Sequence, residues 1–357
     1  MADKTKTHEN VQVYYGQTLQ SSADLQTGCC AGSAVPSVHK SILALIEDEV
    51  LFKSYGCGSP IPDALDGLTA LDLGCGTGRD VYLLSKLVGE QGRVIGVDMT
   101  DEQLDVARRH VEATSQKFGF REPNIEFHKG MIENLAGCGI ADNSVDLIVS
   151  NCVLNLAPHK EKVFAEIFRV LKPGGELYFS DVYADRRIPQ HLQEDPVFHG
   201  ECLGGALYIE DFRRLLTQLG CPDYREVSSA PIPMNNDEMS MKAGNIQFTS
   251  KTIRAFKLAS LEDAQEDYGQ VATYRGTIEH KPHAFRLDAN HVFERGRPTT
   301  VSGNTAAMLS ETRLGRHFEV LGDRDTHFGA FGSRTVIEEL TEDVNSPAPG
   351  SNSSGCC

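Results

Sequence analysis

The chain has 357 residues, 40% of them hydrophobic and 24% charged, with no Trp and ten Cys. That is the composition of a globular protein long enough for two or three domains with their own cores. Lys and Arg number 34 against 50 Asp and Glu, a net charge of −16. This balance argues against nucleic acid or an anionic membrane surface as the main partner. No apolar run reaches the ~18 residues of a transmembrane helix.

The opening stretch, MADKTKTHENVQ, has no apolar core, so no secretory signal is expected and the cytosol is the expected location. There, cysteines stay mostly reduced, which disfavours a disulfide framework. Zinc is disfavoured by spacing. Cys29, Cys30, Cys57, Cys75, Cys138, Cys152, Cys202 and Cys221 form no C-x-x-C pair.

In chain order, PSVHKSILALIEDEVLF (36–52) carries apolar residues at helical spacing. TALDLGC (69–75) reads as a strand and RDVYLLSKLVGE as a helix. RVIGVDM (93–99) is a second strand. TDEQLDVARRHVEATSQKFG then reads as one helix with a Thr cap and an acidic first turn. NIEFHKG (124–130) and VDLIVSN (145–151) are strands, KEKVFAEIFRVLKPGG a helix closed by Pro and Gly, and ELYFSDVY (176–183) a fifth strand. Alternating strands and helices predict an α/β domain with a doubly wound, mostly parallel sheet. After about residue 240, FTSKTIRAFKL, QVATYRGTIEH and HAFRLDANHVFERG read as strands and NTAAMLSETR as a helix, a smaller C-terminal α+β domain. The expected organisation is an N-terminal segment at 1–60, a nucleotide-binding domain at 61–240, the α+β domain at 241–340 and a disordered tail at 341–357.

LDLGCGTGRD follows a strand and opens a helix. Gly74, Gly76 and Gly78 permit a tight turn and close approach of backbone to a ligand. The helix N-terminus behind them offers unspent N–H groups. The spacing is G-x-G-x-G, not the G-x-G-x-x-G of dinucleotide folds. Asp98 closes the second strand roughly 20 residues on, where a carboxylate can accept from both ribose hydroxyls. A glycine triplet alone is weak evidence; here Asp72, Asp98 and the strand order support it.

With the KPGG turn before the fifth strand, this pattern resembles the S-adenosylmethionine-dependent methyltransferases. The resemblance implies a Rossmann-like class I methyltransferase domain. Asp72 and Gly74 would line the amino-acid end of the cofactor and Asp98 its ribose. Met99 and the pair Ile132 and Glu133 would border the adenine, and Asn151 would keep a polar group near the methyl. Core packing for Met99 and a solvated charge for Glu133 are the bland alternatives.

SADLQTGCCAG, YGCG, SNCVLNL and GECLGGALY each set a Cys among small or polar residues. In this order they resemble the arsenite methyltransferases, over most of the chain to about residue 260 and more loosely beyond. By that resemblance Cys30, Cys57, Cys152 and Cys202 match the family's four functional cysteines, with Cys29 an extra neighbour. Cys152 and Cys202 would hold trivalent arsenic, with Cys57 as third ligand. Cys30 and Cys57 would return electrons by forming a disulfide, restored by thioredoxin or glutathione. The expected substrate is arsenite or its glutathione complex, the products are mono- and dimethylated arsenicals, and the role is detoxification by a monomer. Tyr55 would orient the arsenic site or serve as a core aromatic. Cys75, Cys138 and Cys221 read as structural thiols, and Cys356 and Cys357 as passive tail thiols. Soft thiolates suit a thiophilic centre. Two rivals stay open: a C- or O-methyltransferase acting on a quinone or sterol, which needs an apolar acceptor pocket and a general base, and a metalloid sensor, which needs no cofactor.

Overall fold

A computed structural model describes residues 35–52, 60–234 and 237–332. Two short helices, α1 (Ser37–Leu43) and α2 (Asp48–Phe52), replace the single helical stretch read at 36–52. The nucleotide-binding core then runs β1 (Thr69–Leu73), α3 (Arg79–Val88), β2 (Arg93–Asp98), α4 (Asp101–Arg109), α5 (Val111–Phe118), β3 (Ile125–Lys129), β4 (Val145–Asn151), α6 (Lys160–Val170) and β5 (Leu171–Ala184). β1, β2 and β4, the central strands, are nearly continuous apolar runs because helices cover both sheet faces, whereas the edge strand β3 is mostly polar. The helix read over 100–119 is two helices, parted at His110, where Arg109 and His110 both meet Glu49 of α2. Thr100 does not cap with its side chain; its backbone N–H donates instead to Asp98 Oδ1 at 2.9 Å. The KPGG segment is the start of β5, not the end of α6.

The main sheet has the order β3-β2-β1-β4-β5-β8-β7, with the short β6 (Leu207–Tyr208) also on β5. Pairs from β3 to β5 are parallel. β7 (Tyr224–Pro231) and β8 (Phe248–Phe256) add antiparallel partners. β8 is the FTSKTIRAF stretch, so the division read at residue 240 does not coincide with the edge of the sheet. Between β5 and β7 lie α7 (Gln190–Gln193), α8 (Pro196–Gly200) and α9 (Ile209–Gln218); α10 (Asp237–Ala243) precedes β8.

Beyond β8 a smaller unit forms. It holds a three-stranded antiparallel sheet, β12 (Pro298–Thr300), β9 (Val271–Tyr274) and β13 (Phe318–Leu321), the hairpin β10 (Ala284–Arg286) with β11 (Val292–Glu294), and α11 (Gly303–Ser310). It has its own core around Tyr274, Phe285, Phe293 and Phe318. Its seam with the main sheet is ionic. Buried Glu176 of β5 accepts from Arg254 of β8 at 2.6 Å and pairs with Arg313 at 2.5 Å, and Arg313 also donates to the Ala64 carbonyl at 3.1 Å. Removing one member of such a buried cluster typically costs about 3–5 kcal/mol.

The strand order reverses between β1 and β4, the place where open α/β sheets bind ligands at their carboxyl ends. Leu73 lies opposite both Val97 and Ser150, so the chain leaving β1, β2 and β4 delivers Gly74, Asp98 and Asn151 to one crevice.

Candidate active site

At the end of β1 the glycine loop turns sharply, with Gly74, Gly76 and Gly78 at φ 68, 52 and 88°. A Cβ on Gly74 would sit 2.4 Å from Val153 Cγ1, and one on Gly78 2.8 Å from Phe127 Cζ. Side chains are therefore excluded by space as well as by backbone conformation. Gly76 N–H donates to Asp98 Oδ2 at 2.9 Å. With Thr100 on the other oxygen, Asp98 is locked in place. Each carboxylate oxygen retains capacity for a further donor, as two ribose hydroxyls require.

Asp72 is buried beneath the loop, and burial first, then Asp80 and Asp98, hold its carboxyl well above the usual range against the pull of Arg79. Asp98 is raised too, mainly by burial, against backbone donors from Thr100 and Gly76. Asp80, also buried, accepts from Arg79 at 2.7 Å and from Asn151 Nδ2 at 3.4 Å. Asp72 and Asp80 share the Arg79 guanidinium, and Asp98 adds its charge to Asp72, so this end of the sheet is acidic. That electrostatics fits a ligand with an ammonium and a sulfonium centre, whose positive charge favours the ionised forms of Asp72 and Asp98. The first turn of α2 closes on this loop, with Thr77 Oγ1 donating to Val50 O at 2.7 Å.

The cysteine end begins where β4 stops. Cys152 takes φ 57°, and its N–H donates to Ser180 O at 2.8 Å. Cys202 follows α8, whose Asp195 cap accepts from Val197 and Phe198, and it takes φ 63°. Its thiol donates to Cys152 O at 3.2 Å. Both cysteines lie in one apolar cluster with Leu156, Phe198 and Phe248, and Met99 packs against it from the end of β2. Cys152 is disulfide-bonded. Cys75, Cys138 and Cys221 are buried free thiols, all with pKa values raised by burial, Cys221 to about 12.

Asp72, Gly74, Gly76, Gly78, Asp98, Met99, Asn151, Cys152 and Cys202 are thus linked by contacts around the carboxyl ends of β1, β2 and β4. Ile132 is buried among Leu73, Val97 and Leu154 in the main core. Glu133 is half-buried and acts on Lys160. Cys29, Cys30, Tyr55, Cys57, Cys356 and Cys357 fall outside the described residues. Sequence reasoning passed over Arg79 and Asp80, although they follow the last glycine, Gly78, directly. It also passed over Asp181, whose carboxyl burial raises to about 7, and Lys160, whose ammonium burial lowers to about 8. Nothing local marks those two, since both follow from burial.

Sheet order, glycine loop and acidic strand ends define a methyltransferase of the S-adenosylmethionine-dependent class, and the family profile for a methyltransferase domain matches residues 64–220. The profile for the arsenite methyltransferase C-terminal domain matches residues 267–357. An arsenite methyltransferase of Aquipseudomonas alcaligenes is 51% identical over 91% of this chain and 93% of its own. That of Mus musculus is 40% identical over 99% and 97%. The crystal structure of an arsenic(III) S-adenosylmethionine methyltransferase from Chlamydomonas reinhardtii superposes with a TM-score of 0.81 at 48% identity, over 84% of this chain and all of that one. The chain belongs to the arsenite methyltransferase family.

Proposed function

We propose that this protein methylates trivalent arsenic held by Cys152, Cys202 and Cys57, with S-adenosylmethionine as donor. The observation that carries the reading is the meeting of Cys202 Sγ with the Cys152 carbonyl across 50 residues of sequence, in an apolar cluster that Met99 joins to the cofactor loop. Thiolates hold a soft centre while leaving its lone pair unshared. That lone pair attacks the methyl carbon as the carbon–sulfur bond breaks, and the bonding pair stays on sulfur as a neutral thioether. The chain's contribution is placement in line, which can supply about 7–11 kcal/mol at best. Asp72 and Asp80 hold the cationic donor, and Asp98 its ribose.

The methylated arsenic is formally pentavalent. Two enzyme thiols return two electrons and become a disulfide, with Cys30 and Cys57 the pair the family resemblance suggests. The disulfide at Cys152 widens that picture, because a sulfur so bonded cannot ligate arsenic. On this reading the oxidised form follows turnover, and thioredoxin or glutathione reopens the site. Mono- and dimethylated products, a detoxifying role and a cytoplasmic site of action complete the proposal. Among the described residues no helix is long and apolar enough to cross a membrane. The test is incubation with arsenite, methyl-labelled S-adenosylmethionine and glutathione, followed by chromatography of arsenic species. Label in methylarsenicals supports the reading. Label transfer that ignores arsenite, for example to a quinone, overturns it.

A further inference from the structure

The two cysteine loops meet through more than their cysteines. Behind Cys152 the chain makes one 3-10 turn, Leu154–Leu156, with Asn155 buried at its centre. Asn155 N–H donates to Asp181 Oδ2 at 3.1 Å, and its Nδ2 donates to Val182 O at 2.5 Å. Its carbonyl accepts from Lys160 Nζ at 3.0 Å, and Lys160 also donates to Ala157 O at 3.1 Å. From the other side the Cys202 loop closes on the same carbonyl. A Cβ on Gly205 would lie 1.9 Å from Asn155 O and 3.4 Å from Lys160 Nζ. A Cβ on Gly204 would lie 2.9 Å from Leu192 O. The GG pair of GECLGGALY therefore exists to let one backbone press against another.

The ammonium is favoured electrostatically by Asp181 most, then by Glu161, Cys202 and Glu133. Asp181 is itself buried and braced by Val182 N–H at 2.8 Å. A buried cation is costly unless it is paired and hydrogen-bonded, and Lys160 spends donors on two carbonyls of the Cys152 loop.

We propose that Lys160 is a positioning residue for the cysteine pair. It pins the carbonyls of Asn155 and Ala157, and with Gly205 it sets the gap between the Cys152 and Cys202 loops that one arsenic atom bridges. The inference rests on the arsenic reading above. Lys160 donates to the Cys152 loop, so its loss should fall more heavily on arsenite than on the cofactor.

The experiment compares Lys160→Met, Lys160→Gln and Lys160→Arg in the reduced full-length protein, with Gly205→Ala as an independent way to part the loops. Lys160→Met should raise KM for arsenite about tenfold or more, leave KM for S-adenosylmethionine within about twofold and leave kcat at saturating arsenite within about threefold, the signature of lost ground-state placement. Lys160→Arg, which keeps cation and donors, should recover most of the arsenite KM, and Gly205→Ala should copy Lys160→Met. Lys160→Gln, neutral but still a donor, serves if Met does not fold, and should fall between Met and Arg. Equal loss for both substrates, or no rescue by Arg, would mean a general packing role and overturns the proposal. An unchanged arsenite KM in a parent that methylates arsenic overturns the positioning role alone. A parent that neither binds nor methylates arsenite overturns the functional reading and this inference with it.

Discussion

At both ends of the site the chain turns through the left-handed region, but glycines make the turn at one end and cysteines at the other. The cofactor loop uses Gly74, Gly76 and Gly78, which enter that region without strain. The cysteine end holds Cys152 and Cys202 at φ 57 and 63°, where a Cβ costs about 1–2 kcal/mol per residue. Such strain persists only where the surroundings over-determine it, and it clusters at functional positions. Here the surroundings are the Ser180 carbonyl, the Cys152–Cys202 hydrogen bond and the Asn155 hub. On the proposed function, glycine is used where the backbone itself must approach the ligand, and cysteine is kept, strain included, where the sulfur is the ligand.

If this contrast is right, the cysteine end should tolerate least. Cys152→Ser and Cys202→Ser keep the strain and the size but replace a soft donor with a hard one. Each should abolish methylation of arsenite and of trivalent methylarsenic, measured as labelled product. Cys30→Ser should be milder on trivalent methylarsenic, which is supplied already reduced. Activity near the parent level in Cys152→Ser would place the arsenic elsewhere.

The cofactor end should fail separately. Asp98→Ala removes a charged acceptor and should weaken S-adenosylmethionine by about 1.5–3 kcal/mol, roughly tenfold to a hundredfold in Kd, while arsenite binding is retained. Calorimetry with each ligand in turn measures both arms.

A smaller effect should show where the ends touch. Gly74→Ala drives a Cβ to 2.4 Å from Val153, the residue after Cys152. It should weaken both ligands, each by roughly tenfold or less. Adding Val153→Ala should restore arsenite binding more than cofactor binding, because it removes the clash and leaves the φ strain. If Gly74→Ala spares arsenite, the two ends are mechanically independent.

The smallest effect is protonic. In the cofactor-free protein the Asp72 carboxyl is raised, chiefly by burial. A cationic ligand favours the ionised form, so below the raised pKa binding must expel a proton. Affinity for S-adenosylmethionine should therefore rise with pH, by at most about tenfold per unit, and level off once Asp72 is ionised without ligand. Fold stability has the opposite sign, since a raised carboxyl pKa contributes stability that is lost as pH rises through it. Titration of Kd with pH in the parent and in Asp72→Asn, which should lose the slope, checks the assignment.

The parallel half of the sheet was legible because its strands are apolar runs bounded by glycine and by capped helices; VDLIVSN is a strand from Val145 to Asn151. The cofactor loop was legible for a related reason, since its glycines and Asp98 stand at fixed distances on consecutive elements. Between residues 184 and 240 the sequence reading places GECLGGALY and Cys221 but assigns no bounded helix or strand. α7 and α8 are too short to show a period, although α9, IEDFRRLLTQ, repeats its apolar residues at helical spacing and could have been found. The FTSKTIRAF strand was seen, but its place in the main sheet was not, because alternation says which residues pair and not with whom.

The sequence by itself determined the class of fold and the glycine loop, since these rest on local conformation and on motifs a few residues long, and it nominated the cysteines through a family resemblance. Only the tertiary structure decided that Asp80 and Asp98 lie close enough to raise Asp72, that Cys202 reaches Cys152, and that a lysine holds the carbonyls behind Cys152. Those facts depend on sheet register and on desolvation. Both are sums over neighbours brought from far along the chain, and no window of sequence contains them.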